Sequence, residues 1–481
     1  MKKTGLFIFL MASMILFSMA VSQSAADINM PDVSEIKKWK VPVDDPKPFI
    51  KNGFYKHFLT PEQYKKMTYD IASMKQAWAQ IVGFKAPDVV GKIAPEIKPG
   101  KYTYKDKEKY PGLKELMPPF LYEMFDQGGP PLAGKFPEIT IVPTQQYYYA
   151  MPVAEATKKY AGQTKLDEAG YIINSSYNAG YPFPRPSGKF KGQQICYNMQ
   201  KRYLEFESFA ALALTCSYNK NLKPDTMDSW AISYGVRASG RVQMEPFGFF
   251  DKRAEEQGED IISVVSFFAP RDLYGNISSL TNFISPHKLD NSLMYFNLLR
   301  RVRKMTASDT QDAFGGTDVD SDTGYFAGFQ QKMTPNQFPM EYKVIAEREY
   351  LVLAMDFDGD TYFDSNTKEM HNVRFERRPL WVVECKELDN NYIYSRRVVY
   401  FDRETLLPIG YENHDQRGRL WRSSAPVRIF LPDMGVIITG IGTYWDNLDK
   451  HTTIGLSLAL PIPEVKRNDV DLGALIRRSR K

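Results

Sequence analysis

Residues Arg396–Arg422 read RRVVYFDRETLLPIGYENHDQRGRLWR. Three strand-like runs are separated by Asp402-Arg403-Glu404-Thr405 and by Asp415-Gln416-Arg417-Gly418. An Asp opens each turn, where its short carboxylate can accept from the backbone N–H groups just ahead. Gly418 suits the positive φ that the second turn needs. Runs joined this closely lie side by side, so the stretch predicts an antiparallel meander. It is rich in aromatics and arginine and holds no catalytic grouping. It reads as a sheet that binds, not a sheet that cuts.

Outward from the meander, short strands dominate from about residue 225. They are expected over 231–244, 261–268, 294–302, 342–353, 380–385, 392–401, 407–413, 420–430 and 436–444. Many short strands with few helices between them predict a large antiparallel sheet, curled or closed, of α+β class. No fixed period indicates a propeller or solenoid. Upstream, Thr60-Pro61-Glu62-Gln63 carries a capping box and a Pro at the first helical position, which predicts a helix to about Val82. Residues 84–135, dense in Pro, Gly and Lys, predict an irregular segment with one short helix near 113–126, wrapped on the surface of something larger. A strand over Ile139–Val142, a helix over Pro152–Tyr160, extended chain over 170–176 and a rigid loop at 180–186 follow.

Lys2 and Lys3, the apolar run Leu6–Met19 and Ser24-Ala25-Ala26 make residues 1–26 a signal peptide cleaved near Ala26, too short in its apolar part to span a membrane. Residues 27–135 then form an extended arm and helical segment, and 136–481 a β domain that is one unit with it. The chain is expected in the periplasm, with peripheral association to the outer membrane open to it. The net charge of +5 falls to +3 without the signal segment, so no nucleic-acid partner is indicated. There are three cysteines, Cys196, Cys216 and Cys385. An oxidising compartment permits one disulfide, with Cys196 and Cys216 nearest in sequence, but cysteine is equally at home as a small buried apolar residue.

The chain holds no nucleophile elbow, zinc-protease helix, C-x-x-C, phosphate loop or dinucleotide fingerprint. None of the five histidines pairs with another at ligand spacing. Asp318, Asp320 and Asp322 alternate before Gly324, and Asp356, Asp358 and Asp360 alternate around Gly359. Neither run puts Gly at the sixth position or a carboxylate at the twelfth, so both read as solvated turns rather than calcium loops. No catalytic residue, metal or cofactor is expected. Arg300, Arg301, Arg303 and Lys304 end a strand. They are either an exposed edge kept from aggregating by charge, or a docking patch for anionic head groups or an acidic partner. Trp381, Tyr392, Tyr400, Tyr411 and Trp421 crowd the meander. Such aromatics fill the core of a sheet, or line its cavity where the sheet is not fully filled.

Four passages, in order, carry a resemblance: ITIVPTQQYYYAMPVAEAT at 139–157, AGYPFPRP at 179–186, LLRRVRKM at 298–305, and the long stretch from Trp381 to Arg422. Together they resemble an uncharacterised family of exported proteins from Gram-negative bacteria, known by a domain-of-unknown-function label and described as outer-membrane lipoprotein-sorting-like. The meander is also similar to that of the Lol carriers. This likeness implies a half-open antiparallel β-barrel with helices covering its concave face, an apolar cavity for acyl chains, and no catalytic residues. The expected function is a periplasmic binder or carrier of a lipid, lipoprotein or other hydrophobic molecule, working with an envelope transporter or outer-membrane partner. The alternative is a periplasmic hydrolase or glycan-binding protein using Asp and aromatic residues in a cleft. An integral outer-membrane barrel is disfavoured by the basic C-terminal residues and the short, irregular strands.

Overall fold

The two Asp turns close as their sequences dictate. Asp402 Oδ1 accepts from the N–H groups of Glu404 (2.9 Å) and Thr405 (2.7 Å). Asp415 Oδ1 accepts from those of Arg417 (3.0 Å) and Arg419 (2.9 Å), and Gly418 takes a φ of +77°. The structure, a computed structural model, describes residues 59–129, 131–225, 229–269, 272–305, 311–313, 317–320, 332–336, 339–356 and 360–479. The expected signal segment, the arm before residue 59, and Asp322, Gly324, Asp358 and Gly359 lie outside the described residues.

In chain order the strands are β1 (Gly100–Thr103), β2 (Glu138–Ile141), β3 (Ser208–Tyr218), β4 (Ser229–Arg237), β5 (Glu259–Ala269), β6 (Ile277–Phe283), β7 (Asn291–Phe296), β8 (Arg301–Lys304), β9 (Met340–Leu353), β10 (Tyr362–Asp364), β11 (Glu369–His371), β12 (Val373–Glu387), β13 (Arg396–Asp402), β14 (Pro408–His414), β15 (Leu420–Leu431), β16 (Val436–Asp446) and β17 (His451–Pro461). All but β10 and β11 form one 15-stranded sheet, ordered β1-β2-β12-β13-β14-β15-β16-β17-β3-β4-β5-β6-β7-β8, with β9 beside β12. Every pairing in it is antiparallel except that of β2 with β12. The path runs from β1 to β8 without closing, so the sheet is a mostly antiparallel, open one with few helices.

The helices are α1 (Pro61–Lys66), α2 (Ile71–Val82), α3 (Ala86–Val89), α4 (Gly112–Leu116), α5 (Pro119–Met124), α6 (Met151–Tyr160), α7 (Lys191–Gln200), α8 (Lys252–Gln257) and α9 (Leu472–Ser479). Those before residue 201 pack on the half of the sheet around β12–β16, where Trp78, Phe120, Tyr149 and Tyr181 share one core with Val383, Phe401 and Ile437. The first Asp turn fastens them there. Trp78 Nε1 donates to the Glu404 carbonyl (2.7 Å), and the N–H groups of Ala86 (2.8 Å) and Tyr147 (2.9 Å) donate to the Glu404 carboxylate. Arg378 meets Asp402 at 2.6 Å and Glu404 at 2.8 Å, and donates to the Gln145 carbonyl at 2.6 Å. A second, smaller core lies on one face of β4–β7, where Ile232, Tyr234, Ile262 and Val264 cluster with Leu472, Leu475 and Ile476 of α9.

Several elements depart from expectation. The helix predicted from Thr60 to Val82 is two, because Asp70 caps a new start by accepting from the Ser73 N–H at 2.7 Å. The single helix expected over 113–126 is split at Pro118-Pro119 into α4 and α5. Their segment is not wrapped on a surface: Leu113, Leu116, Phe120 and Phe125 are fully buried. The strand expected over 294–302 is the hairpin β7–β8, turning at Arg300 with a φ of +51°. Helix α7 and strands β3 and β17 were not expected. All three cysteines are buried, Cys196 and Cys216 are not bridged, and the thiol of Cys196 interacts with that of Cys385.

Candidate functional site

A strand shows alternate side chains to opposite faces. In β3 to β6 this alternation separates two environments. Ala210, Ile232, Val264 and Ile277 face the second core. Their neighbours, among them Ala211, Ala213, Ala231, Ser233, Ser263 and Leu280, line a cavity of about 680 Å³. The sequence explains why space remains there. Alanine, serine and Gly235 cover the middle of this face, and none is long enough to fill the gap between the sheet and residues 200–207. The apolar lining comes from Phe209, Val265, Phe267, Leu280 and Phe283, and Leu289, which is exposed, stands where the cavity meets solvent.

One end of the cavity is charged. The pairing of Ser208 with Val236, and of Val236 with Ile262, places the start of β3, the end of β4 and the start of β5 in one row. Arg237 closes that row. Its Nη2 donates to the carbonyls of Lys201 (3.3 Å) and Arg202, and its guanidinium lies 4.0 Å over the Tyr203 ring. The nearby carboxylates are engaged elsewhere. Asp260 takes Lys201 Nζ at 2.5 Å and Ser239 Oγ at 2.6 Å, and Glu207 takes the N–H groups of Val242, Gln243 and Met244. Glu205, held at a φ of +64°, accepts from Thr439 through Oε1, while its buried Oε2 has no hydrogen-bond partner among the described residues. Burial pushes its carboxyl up to about 7, against the hydrogen bonds from Thr439 and the charges of Arg428 and Arg202.

The five aromatics singled out in the meander do not line this cavity. Trp381 is buried beneath the Arg403 guanidinium at 5.6 Å. Tyr392 accepts a hydrogen bond from Arg397 through its hydroxyl. Tyr400 donates to Glu412 at 2.9 Å and packs against Phe120 at 5.8 Å. Tyr411 is buried in the main core. Trp421 donates to Asp446 at 2.8 Å and lies 5.4 Å from Tyr394. The helices before residue 201 fill the hollow that the meander would otherwise leave, and the open space falls on strands whose small residues gave no aromatic signal.

In the first acidic run the described Asp318 and Asp320 are buried, not solvated. Asp318 is buried against His451 Nδ1 (2.7 Å) and Thr453 Oγ1 (2.7 Å), and Asp320 against Tyr394 (2.7 Å) and Arg422 (2.9 Å). Asp356 pairs with Arg374 at 3.2 Å, and neither it nor Asp360 lines the cavity. Among the described residues no group of three or more His, Cys, Asp or Glu stands where it could hold a metal ion.

The basic run forms an exposed edge. Arg301, Val302, Arg303 and Lys304 are all exposed, and at the tip of the hairpin Leu298 is 94% and Leu299 64% exposed. The neighbouring β5–β6 turn adds exposed Tyr274, whose carbonyl accepts from Asn297 at 3.3 Å. Lys304 also lines the cavity, so this edge and the cavity are continuous. Among the described residues no helix is long and apolar enough to cross a membrane.

No curated protein matches the chain. Among solved structures it is similar to a domain from Vibrio parahaemolyticus described as an outer membrane lipoprotein-sorting protein domain, at 14% identity over 60% of this chain and 99% of that one, with a TM-score of 0.42. It is similar to a DUF1329 family protein from Desulfovibrio piger at 13% identity, over 59% of this chain and 97% of that one, with a TM-score of 0.42. A LolA superfamily protein from Nitrosomonas europaea is similar at 10% identity, over 59% of this chain and 98% of that one, with a TM-score of 0.34. Residues 104–458, which take in α4 to α8 and the sheet from β2 to most of β17, match the family described as Protein of unknown function (DUF1329), and the chain belongs to that family.

Proposed function

We propose that the protein binds a lipid or other hydrophobic molecule in the cavity over β3–β6 and carries it through the periplasm without chemistry. The observation that carries this reading is a cavity of about 680 Å³ whose walls are kept back by small residues on one face of a sheet. An empty cleft of this kind gives up packing energy that larger side chains would recover. A ligand restores it: roughly ten methylenes leaving water gain about 8 kcal/mol before the cost of association. The β7–β8 edge belongs to the same reading as the surface that meets an anionic bilayer. Two exposed leucines at a tip flanked by arginines favour a lipid surface over an acidic protein, since the cations meet head groups while the leucines enter the interface.

The test is organic extraction of the folded protein with mass spectrometry of the extract, together with titration of an apolar fluorescent probe. Wild type should release lipid and bind the probe. Ser263→Phe, which fills the cavity, should lose about tenfold or more in probe affinity while unfolding at an unchanged denaturant concentration. An empty extract from a protein that also ignores the probe would sink the proposal.

A further inference from the structure

The cavity is not apolar throughout, and its polarity has a direction. Arg237 and Arg202 stand at the end where β3 begins, and Ala213, Ala231 and Phe267 line it some six residues along the strands. At about 3.3 Å per residue that separation is roughly 20 Å. The charged end is incompletely satisfied. Arg237 is 7% exposed, and its Nη1 has no hydrogen-bond partner among the described residues. Arg202 lends Nη1 to the Met199 carbonyl at 3.2 Å, and the two guanidiniums repel each other across the carbonyl that Arg202 offers to Arg237. Among the described residues neither forms a direct ion pair with a carboxylate: Asp260 and Glu207 favour the charged Arg237 through space, but their oxygens are held by Lys201, Ser239 and three backbone N–H groups. Glu205 does not supply a full counter-charge either, since burial keeps its carboxyl partly protonated near neutrality.

Two adjacent guanidiniums with an unsatisfied donor, left at the end of an apolar slot, form a site for an anion brought in by something else. We infer that the ligand is a single-chain anionic amphiphile, with its carboxylate or phosphate on Arg202 and Arg237 and its hydrocarbon chain along the β3–β5 face. This rests on the cavity being the ligand site, and it narrows the ligand class from hydrophobic to acidic amphiphiles. A neutral lipid would leave both guanidiniums without a direct anionic partner.

The test is displacement of the fluorescent probe by four competitors of equal chain length: a fatty acid, its methyl ester, the fatty alcohol and a lysophosphatidic acid. The acid and the lysophosphatidic acid should each bind about tenfold or more tighter than the ester and alcohol, as one charge-assisted contact implies. The larger of the two affinities identifies the head. Arg202→Gln, at a half-buried position, should bring the acid to the affinity of the ester, and Arg202→Lys should restore part of the difference. Arg237→Gln is the second variant, used where its melting curve matches wild type. Equal affinity of acid and ester for wild type would overturn the anionic-head assignment and leave the cavity reading standing. Failure of all four competitors and of the probe itself would overturn both.

Discussion

Arg378 ties strand β12 to the first Asp turn and to the segment at Gln145. Its guanidinium is surrounded by Asp402, Glu404 and Glu376, the last at 3.7 Å. One positive charge among three buried carboxyls favours retaining a proton, and burial raises the carboxyls of both Glu376 and Glu404. Removing the arginine leaves those acids unpaired, so Arg378→Met is expected to cost about 3–5 kcal/mol in urea denaturation. Glu205 makes the same physics visible in pH. Its folded value near 7 lies above the ordinary value of 4.5, so the folded state holds the proton longer than the unfolded chain. Its contribution is therefore fully present below about pH 4.5 and is lost as pH rises through 7. Glu205→Gln stays neutral throughout. Relative to wild type it should gain roughly 1–3 kcal/mol between pH 5 and pH 8, and a pH-independent difference would refute the assignment. His414 opposes this trend, since burial lowers it to about 4 and its contribution is lost as pH falls from 6.5 toward that value.

At the scale of elements, the meander was legible because turn chemistry is local. Asp402, Asp415 and Gly418 act on neighbours two to four residues away, and β-branched and aromatic runs lie between them. Strand β3 was not legible for the opposite reason. Its sequence, SFAALALTCSY, is rich in Ala and Leu, which favour helix as readily as strand, and the small residues that hide it are those that keep the cavity open. The hairpin β7–β8 was read as one strand because nothing at Arg300 announces a positive φ. The tip it creates is a testable element. Leu298→Ser with Leu299→Ser should weaken sedimentation with anionic vesicles at all salt concentrations. Arg301→Glu with Arg303→Glu should abolish it chiefly at low salt. Unchanged binding by both variants would mark this edge as a device against strand-to-strand association only.

For the whole molecule, the sequence made clear that a large antiparallel sheet would need covering, but not which half would be covered. Glu404 reaches Ala86 and Tyr147 across more than 250 positions in the chain, a pairing with no local signature. Once the helices before residue 201 occupy the meander side, the remaining space must lie over β3–β6. Trp381, Tyr400 and Tyr411 fill the core on the helix-covered half, while the aromatics of the cavity, Phe209, Phe267 and Phe283, stand among Ala, Ser and Gly residues that leave it open.

The order of strands in the sheet bears on how the chain reaches this state. Strand β2 pairs with β12, and β3 with β17 on one side, so these early strands complete their pairing only after residues 373–387 and 451–461 exist. Contacts of such sequence separation place the protein among those that fold slowly, with Trp78, Phe120 and the three tyrosines 147–149 bare to solvent until then. The chain thus has a long interval in which its own core-forming segment is the most adhesive surface present. Refolding should give a single late phase in which Trp78 fluorescence and sheet signal rise together.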